Sequence, residues 1–195
     1  GNGGGIYCSN SYPVITNNSI TNNSAQNGGA LYCTVTSKPI FRNGLIWGNT
    51  ATTSGNQVYL EDESSDPNFY FCDIQGGKNG FGLNTNVFYL GTYSNNIDAD
   101  PLFVDTTLAD WSLQSSSPCI NAGDSSGTYP PTDKAGNPRI CGSRIDIGAY
   151  EYQASPCITD IVVMDKPNKY ISVFIGITSL TLTVCILLLY PNLIS

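Results

Sequence analysis

Apolar and polar residues alternate in short runs along the first part of the chain. In the run Ile6-Tyr7-Cys8, Ile6 and Cys8 fall on one face of a predicted strand and Tyr7 falls on the other. The same alternation returns over residues 31–33 and 58–60. Each run predicts a half-buried β-strand with its aromatic residue facing outward.

The alternating runs belong to a longer unit that occurs three times between Gly3 and Gly77. Two further strand-like pieces follow each run, and equivalent positions are 25 to 28 residues apart. This spacing is typical of solenoid repeats, in which each copy is too short to bury its own apolar face. Superposing the copies places Ile15 on Phe41 on Phe69. The pattern therefore predicts an all-β solenoid of stacked parallel strands.

The predicted corners between strands also repeat. Asn23 and Asn49 occupy the same position of Ile-x-x-Asn-x-Ala, which Ala25 and Ala51 complete. Asparagine is common in loops, but stacked asparagines can also hydrogen-bond along a ladder. Because the two asparagines match in position, the sequence favours the ladder.

Composition narrows the candidate chemistry. Charged residues make up 12% of the chain, the net charge is -7, and there is no histidine. The sequence shows no basic patch, so we expect no nucleic-acid partner. Without histidine, the commonest general base and the commonest zinc ligand are missing.

Seven cysteines are present without any C-x-x-C spacing, which argues against a zinc cluster or a redox dithiol. Cys8 and Cys33 fall at one inward position of adjacent copies. A disulfide between them fits the strand spacing, but a ladder of buried free thiols is favoured because parallel side chains point the same way. Cys119 and Cys141 are predicted to form a disulfide, and Cys157 is a third candidate.

Three regions divide the chain. Residues 1–77 are predicted to form three coils, and 78–153 the last coils, an inserted loop around Val87–Leu90 with a short strand, and a loop-rich C-terminal cap. Residues 154–195 are predicted to be a linker and a hydrophobic tail. Because the chain begins within a repeat, we expect it to be the C-terminal part of a longer protein. Within the cap, a network of ion pairs is expected to close the last coil, formed by Asp124, Asp133, Arg139, Arg144, Asp146 and Glu151.

Four motifs carry a resemblance to a known family. They are Cys72–Gly77, Ile97–Phe103, Ser117–Asp124 and Asp146–Glu151. Together, over residues 2–152, they resemble the "choice-of-anchor Q" class, secreted bacterial right-handed parallel β-helix proteins of the pectate-lyase-like superfamily. The repeats are also similar to those of polymorphic outer-membrane proteins. The resemblance implies a right-handed coil and an extracellular or bacterial cell-surface location, but no particular activity.

The tail offers two interpretations. Residues 170–190 are about as long as a membrane span and contain no charge. However, the lysines before them, Lys166 and Lys169, would lie outside the cell, against the positive-inside tendency. The alternative is that this stretch resembles the start of a type IX secretion sorting domain. Membrane or secretion machinery is thus the predicted partner of the tail.

The predicted outward face of the first strand carries Tyr7, Tyr32, Tyr59 and Glu61. In pectate-lyase-like enzymes, as the resemblance implies, such a face binds calcium through acidic residues and uses Arg or Lys to abstract a proton. No Arg or Lys lies beside these positions, so we predict no catalytic residue here. The tyrosines would instead form an aromatic column, either a glycan-binding strip or a ladder that only stabilises the sheet.

Three aspartates, Asp98, Asp100 and Asp105, are weak candidates for a calcium site. Aspartates in turns more often cap backbone N–H groups, and the sequence alone leaves both interpretations open. No other cofactor is predicted.

These patterns favour a secreted, surface-displayed module that binds a polysaccharide or cell-surface glycan, or that serves an adhesive or structural role. The alternative is the C-terminal part of a polysaccharide lyase or glycoside hydrolase whose active site lies in coils upstream of residue 1.

Overall fold

The fold was analysed in a computed structural model, which describes residues 1–154, 157–165, 171–177 and 186–188. Parallel strands form coils that stack on one another. The first coil contains β1 (Ile6–Ser9), β2 (Val14–Thr16), β3 (Ser19–Thr21) and β4 (Ser24–Asn27). The second contains β5 (Leu31–Thr34), β6 (Ile40–Arg42), β7 (Leu45–Trp47) and β8 (Thr50–Ser54). The third contains β9 (Val58–Leu60), β10 (Asn68–Tyr70) and β11 (Asp73–Ile74).

Equivalent strands of successive coils pair in parallel and build three sheets. The first sheet has the order β1-β5-β9, the second β2-β6-β10 and the third β3-β7-β11. A short fourth pairing, β4 with β8, was not predicted. Ile15 pairs with Phe41 and Phe41 with Phe69, as the superposed repeats predict. The all-β parallel solenoid is thereby confirmed.

A glycine lies three residues before the first strand of each repeat for a steric reason. Gly3, Gly28 and Gly55 have φ angles of 71°, 66° and 69°. A Cβ at Gly28 would collide with the carbonyl oxygen of Leu31, because the chain folds back sharply before entering β5. Only glycine adopts this left-handed turn without strain, so the repeated glycines mark where each coil begins.

Stacked apolar side chains fill the interior of the solenoid. The rings of Phe41 and Phe69 stack at 5.1 Å, and both side chains are fully buried. The predicted asparagine ladder is present, since Asn23 Nδ2 donates to Asn49 Oδ1 at 2.9 Å. A second ladder, unpredicted, joins Asn43 Nδ2 to Asn17 Oδ1 at 3.0 Å. Like thus stacks on like inside the coil and at its corners.

Residues 78–96 continue the solenoid instead of leaving it. A 3-10 helix (Lys78–Gly80) leads to β12 (Gly82–Leu83), which pairs with β9, and β13 (Tyr93–Ser94) pairs with β10. Residues 87–90 contain no strand, and the short strands of this stretch lie on either side of them. The stretch is a shortened fourth coil, which Phe81 and Val87 join to the core.

Ile97 pairs in parallel with Asp73 and extends the third sheet into the fourth coil. Residues 98–151, here called the side segment, then lie along the outer face of this sheet, where Leu113, Cys119 and Ile147 pack with Leu45. The segment contains a hairpin of β14 (Phe103–Asp105) and β15 (Asp110–Leu113) around a 3-10 helix (Thr106–Leu108). Its backbone reaches the first coil through Ala149 N–H, which donates to Ser19 Oγ at 3.0 Å, and the second through Gly148 N–H, which donates to Asn43 O at 2.9 Å. The sequence predicted a cap over the last coil. In the structure this segment instead runs beside the coils.

Part of the tail forms a separate antiparallel sheet of β16 (Ile158–Asp165), β17 (Ile171–Ile177) and β18 (Ile186–Leu188). Of the stretch 170–190 predicted as a membrane span or sorting signal, residues 170, 178–185 and 189–190 lie outside the described residues. Within the described ranges, no helix has the length and apolar character needed to cross a membrane.

Candidate functional site

The predicted tyrosine column is present on the first sheet. Tyr7 pairs with Tyr32 and Tyr32 with Tyr59 in the strand register. The ring centroids of Tyr7 and Tyr32 are 5.2 Å apart with planes 8° from parallel, and those of Tyr32 and Tyr59 are 5.4 Å apart at 11°. The strand register therefore sets the ring orientation from one coil to the next.

Stacking determines which parts of the column a ligand can reach. Tyr7 is 55% exposed, whereas Tyr32 and Tyr59 are 5% and 8% exposed. The ring faces of Tyr32 are covered by its two neighbours, so a ligand cannot stack on them. Of the three stacked rings, Tyr7 is the one that is exposed among the described residues.

Glu61 holds the column in place. Its Oε2 accepts a hydrogen bond from Tyr32 Oη at 2.7 Å, and its Oε1 accepts one from Asn84 Nδ2 at 3.1 Å. Burial and the adjacent Glu61 carboxylate raise the pKa of Tyr32, so its hydroxyl stays protonated and can donate this bond. Glu61 thus links the second, third and fourth coils at the edge of the column.

The three candidate calcium ligands each accept backbone hydrogen bonds. Asp98 Oδ1 accepts from Gly76 N–H at 2.9 Å, and Asp100 Oδ1 accepts from Leu102 N–H at 2.9 Å. Asp105 caps the 3-10 helix of the side segment by accepting from Thr107 N–H at 2.9 Å. In the part of the chain that the structure describes, no three acidic or cysteine side chains come together to hold a metal ion. Asp100 and Asp105 thus cap local turns, whereas Asp98 bonds across coils to Gly76.

The cysteines pair differently from the prediction. Cys8 and Cys33 are free and buried in register, as favoured. The disulfide joins Cys141 to Cys157, so the predicted Cys119–Cys141 bond is wrong. Cys119 is buried against the third sheet, where its thiol donates to Asp73 Oδ2 at 3.1 Å. The side segment positions Cys119 toward the solenoid and away from Cys141.

The predicted closing network reduces to separate contacts. Arg139 pairs with Glu151 at 3.2 Å in the buried part of the side segment, and Arg42 pairs with Asp124 at 3.7 Å. Asp146 instead accepts backbone N–H groups, from Tyr152 at 2.6 Å and from Asn121 at 2.7 Å. These contacts fasten the side segment internally and to the second coil.

Two buried carboxyl groups make the fold sensitive to pH. Burial raises the pKa of Asp73 from its ordinary 3.8 to about 6. Burial, with the nearby charge of Asp146, raises the pKa of Glu151 from its ordinary 4.5 to about 8. In both cases the folded chain keeps a proton that the unfolded chain has already released.

We therefore expect the protein to lose stability as the pH rises from 5 to 7. Stability from a raised carboxyl pKa is complete below the unfolded pKa and is lost as the pH approaches the folded one, about 6 for Asp73 and about 8 for Glu151. A loss of about 2 kcal/mol would lower Tm by roughly 4–8 °C for a chain of this size. Thermal denaturation at the two pH values measures it.

Glu151→Gln provides the matched variant, because the amide keeps the shape of the side chain and removes its titration. The difference in Tm between pH 5 and 7 should shrink in this variant. A wild-type Tm that rises over this interval, or an unchanged difference in the variant, would contradict the assignment.

Sequence reasoning did not single out the two tryptophans. Trp47 ends β7 and Trp111 lies in β15, and they line one cleft only because the side segment folds back on the third sheet. No repeat or motif relates them, so only the three-dimensional fold reveals the pairing.

Taken together, the coils, their register and the outward aromatic column define a parallel β-solenoid protein. No family model, no curated protein and no solved structure matches this chain.

Proposed function

We propose that this β-solenoid is a glycan-binding or adhesive module displayed outside the cytoplasm, on a bacterial cell surface. The finer kinship, with the choice-of-anchor Q class of right-handed β-helix proteins, is part of the same proposal and rests on the four sequence motifs. The observation that carries the binding function is the stacked tyrosine column, whose exposed member is Tyr7.

Preorganisation supports binding at this column. The ring of Tyr7 stacks on Tyr32, and Glu61 fixes the hydroxyl of Tyr32. A side chain already held in its bound orientation loses little conformational entropy when a ligand stacks on it. The apolar face of a sugar ring, with hydroxyl groups at its edge, suits an aromatic surface of this kind.

The contacts made by the charged side chains near the column and on the second sheet favour a binding function over a catalytic one. Glu61 accepts from Tyr32 and Asn84, and Arg42 lies over the ring of Tyr70 at 4.4 Å while pairing with Asp124. General acid–base chemistry requires an acid and a base that converge on free space. Glu61 and Arg42 are committed to structural contacts instead.

The Cys141–Cys157 disulfide supports the proposed location. Disulfides form and persist in secreted and surface proteins and are rare in the cytosol of most organisms. A bond that fastens the end of the side segment is therefore in keeping with an oxidising compartment.

Tyr7→Ala is expected to weaken binding to the glycan that the wild type selects from a polysaccharide panel by about tenfold, about 1.4 kcal/mol. The reason is loss of the exposed ring face, and isothermal titration measures the affinity. Tyr7 is a better probe than Tyr32, because removing Tyr32 would also release Glu61.

Tyr12→Ala is the matched control, because Tyr12 is 60% exposed but does not belong to the column. It should bind as the wild type does. Equal affinities for Tyr7→Ala and wild type would rule out the column as a contact, and failure of the wild type to bind any polysaccharide would refute the proposed function.

A further inference from the structure

A second aromatic surface lies where the side segment meets the third sheet. It is a cleft of about 200 Å³ lined by Asn22, Trp47, Gly48, Phe103, Thr106 and Trp111. Both tryptophans of the protein are among these residues. The cleft is separate from the tyrosine column, which lies on the first sheet.

The aromatic walls of the cleft are anchored from below. Trp47 and Phe103 pack against the buried cluster of Leu45, Leu113, Cys119 and Ile147. Phe103 and Trp111 meet edge to face, with centroids 5.2 Å apart and planes at 84°. This geometry is a favourable one for aromatic pairs and holds the two hairpin rings of the cleft together.

The rim of the cleft is polar but uncharged. Asn22 and Thr106 are exposed, and they contribute an amide and a hydroxyl group that can donate and accept hydrogen bonds. None of the six lining residues carries a charge. A ligand with an apolar face and several neutral hydroxyl groups matches both the walls and the rim.

We propose that this cleft is a binding site for a neutral sugar ring of an oligosaccharide. One ring face lies against the indole of Trp47 or Trp111, and the ring hydroxyls bond to Asn22 and Thr106. The inference rests on the proposed glycan-binding function and adds to it the site and the class of sugar.

Charge favours a neutral sugar over an acidic one. Asp105 directly precedes Thr106 and Asp110 directly precedes Trp111, and the two aspartates are paired in the hairpin that carries these lining residues. The chain as a whole carries a net charge of -7. A uronate or sulfated sugar would meet repulsion here without a cation in the lining to offset it.

Intrinsic fluorescence tests the site directly. Both tryptophans line the cleft, so tryptophan emission, excited at a wavelength that tyrosine does not absorb, reports occupancy of the cleft without a label. Titration with cello-, manno- and xylo-oligosaccharides is expected to give a saturable change in emission with at least one of them. Oligogalacturonate is expected to bind at least about tenfold more weakly.

Asn22→Gly removes the rim amide and keeps the backbone conformation, because Asn22 has a φ of 58° that glycine adopts readily. This variant should bind the selected sugar about tenfold more weakly while keeping the wild-type Tm. Phe88→Ala, which removes an exposed aromatic ring that does not line the cleft, should bind as the wild type does.

The outcomes separate this inference from the proposed function. Binding of a glycan by titration calorimetry without a change in tryptophan emission would overturn the cleft and leave the function standing. Tighter binding of oligogalacturonate would overturn the selectivity for neutral sugars. A change in emission with an apolar peptide but with no sugar would overturn the ligand class, and failure to bind any glycan in either assay would overturn both proposals.

Discussion

Phe69→Ala is expected to lower the free energy of unfolding by about 3–5 kcal/mol, the usual cost of emptying a fully buried aromatic position. Phe69 stacks on Phe41 at 5.1 Å and contacts the rings of Phe81 at 5.5 Å and Tyr93 at 6.3 Å. It therefore joins the second, third and fourth coils in one aromatic cluster. The backbone ladders on both sides limit how far the coils can collapse into the cavity.

Denaturation in urea measures this loss. Phe88→Ala is the matched control, because Phe88 is 68% exposed and its removal should change stability by less than about 0.5 kcal/mol. A loss below about 1 kcal/mol for Phe69→Ala would mean that the coils close over the missing ring, contrary to the close packing of the interior.

Asn49→Ala is expected to cost at least about 3 kcal/mol, because several buried polar groups lose their partners at once. The Asn49 amide nitrogen donates to Ile20 O at 2.8 Å and to Gln57 Oε1 at 2.8 Å. Its Oδ1 accepts from Asn23 N–H and from Asn23 Nδ2, both at 2.9 Å. With a further bond from its Nδ2 to Trp47 O at 3.2 Å, one side chain satisfies groups of the first and second coils and of the turn that leads into the third.

The matched control for Asn49→Ala is Asn18→Ala. Asn18 is exposed and donates a single hydrogen bond, to Thr16 O at 2.7 Å, so its loss should cost less than about 1 kcal/mol. Similar urea midpoints for the two variants would show that water replaces the partners of Asn49 and that the ladder contributes little.

The repeat-based part of the fold could be predicted because the sequence states it three times. A spacing of 25 to 28 residues brings Tyr7, Tyr32 and Tyr59 into one column, and the register follows from stacking like on like. The third copy departs from the sequence of the first two, but the alternation of Val58, Tyr59 and Leu60 still indicates which residue points outward. The shortened fourth coil lacks that alternation, and its strands flank the stretch where one was predicted.

The position of the side segment could not be predicted, because its contacts do not repeat. The bond between Ala149 and Ser19 and the cleft shared by Trp47 and Trp111 join residues far apart in sequence, with no periodic signal. The disulfide shows the same limit, since spacing alone does not distinguish Cys119 from Cys157 as the partner of Cys141. Cys119 is unavailable as the partner of Cys141 because it is buried beside Asp73.

The side segment also changes how the solenoid comes apart. In an ordinary stack each coil touches only its neighbours, so the outermost coil can peel away and leave the rest intact. Here one continuous piece of chain is tied to Ser19 in the first coil, Asn43 in the second and Asp73 in the third. Peeling off any one of these coils also breaks its own bond to the side segment, so we expect the coils to unfold more cooperatively than those of an ordinary stack.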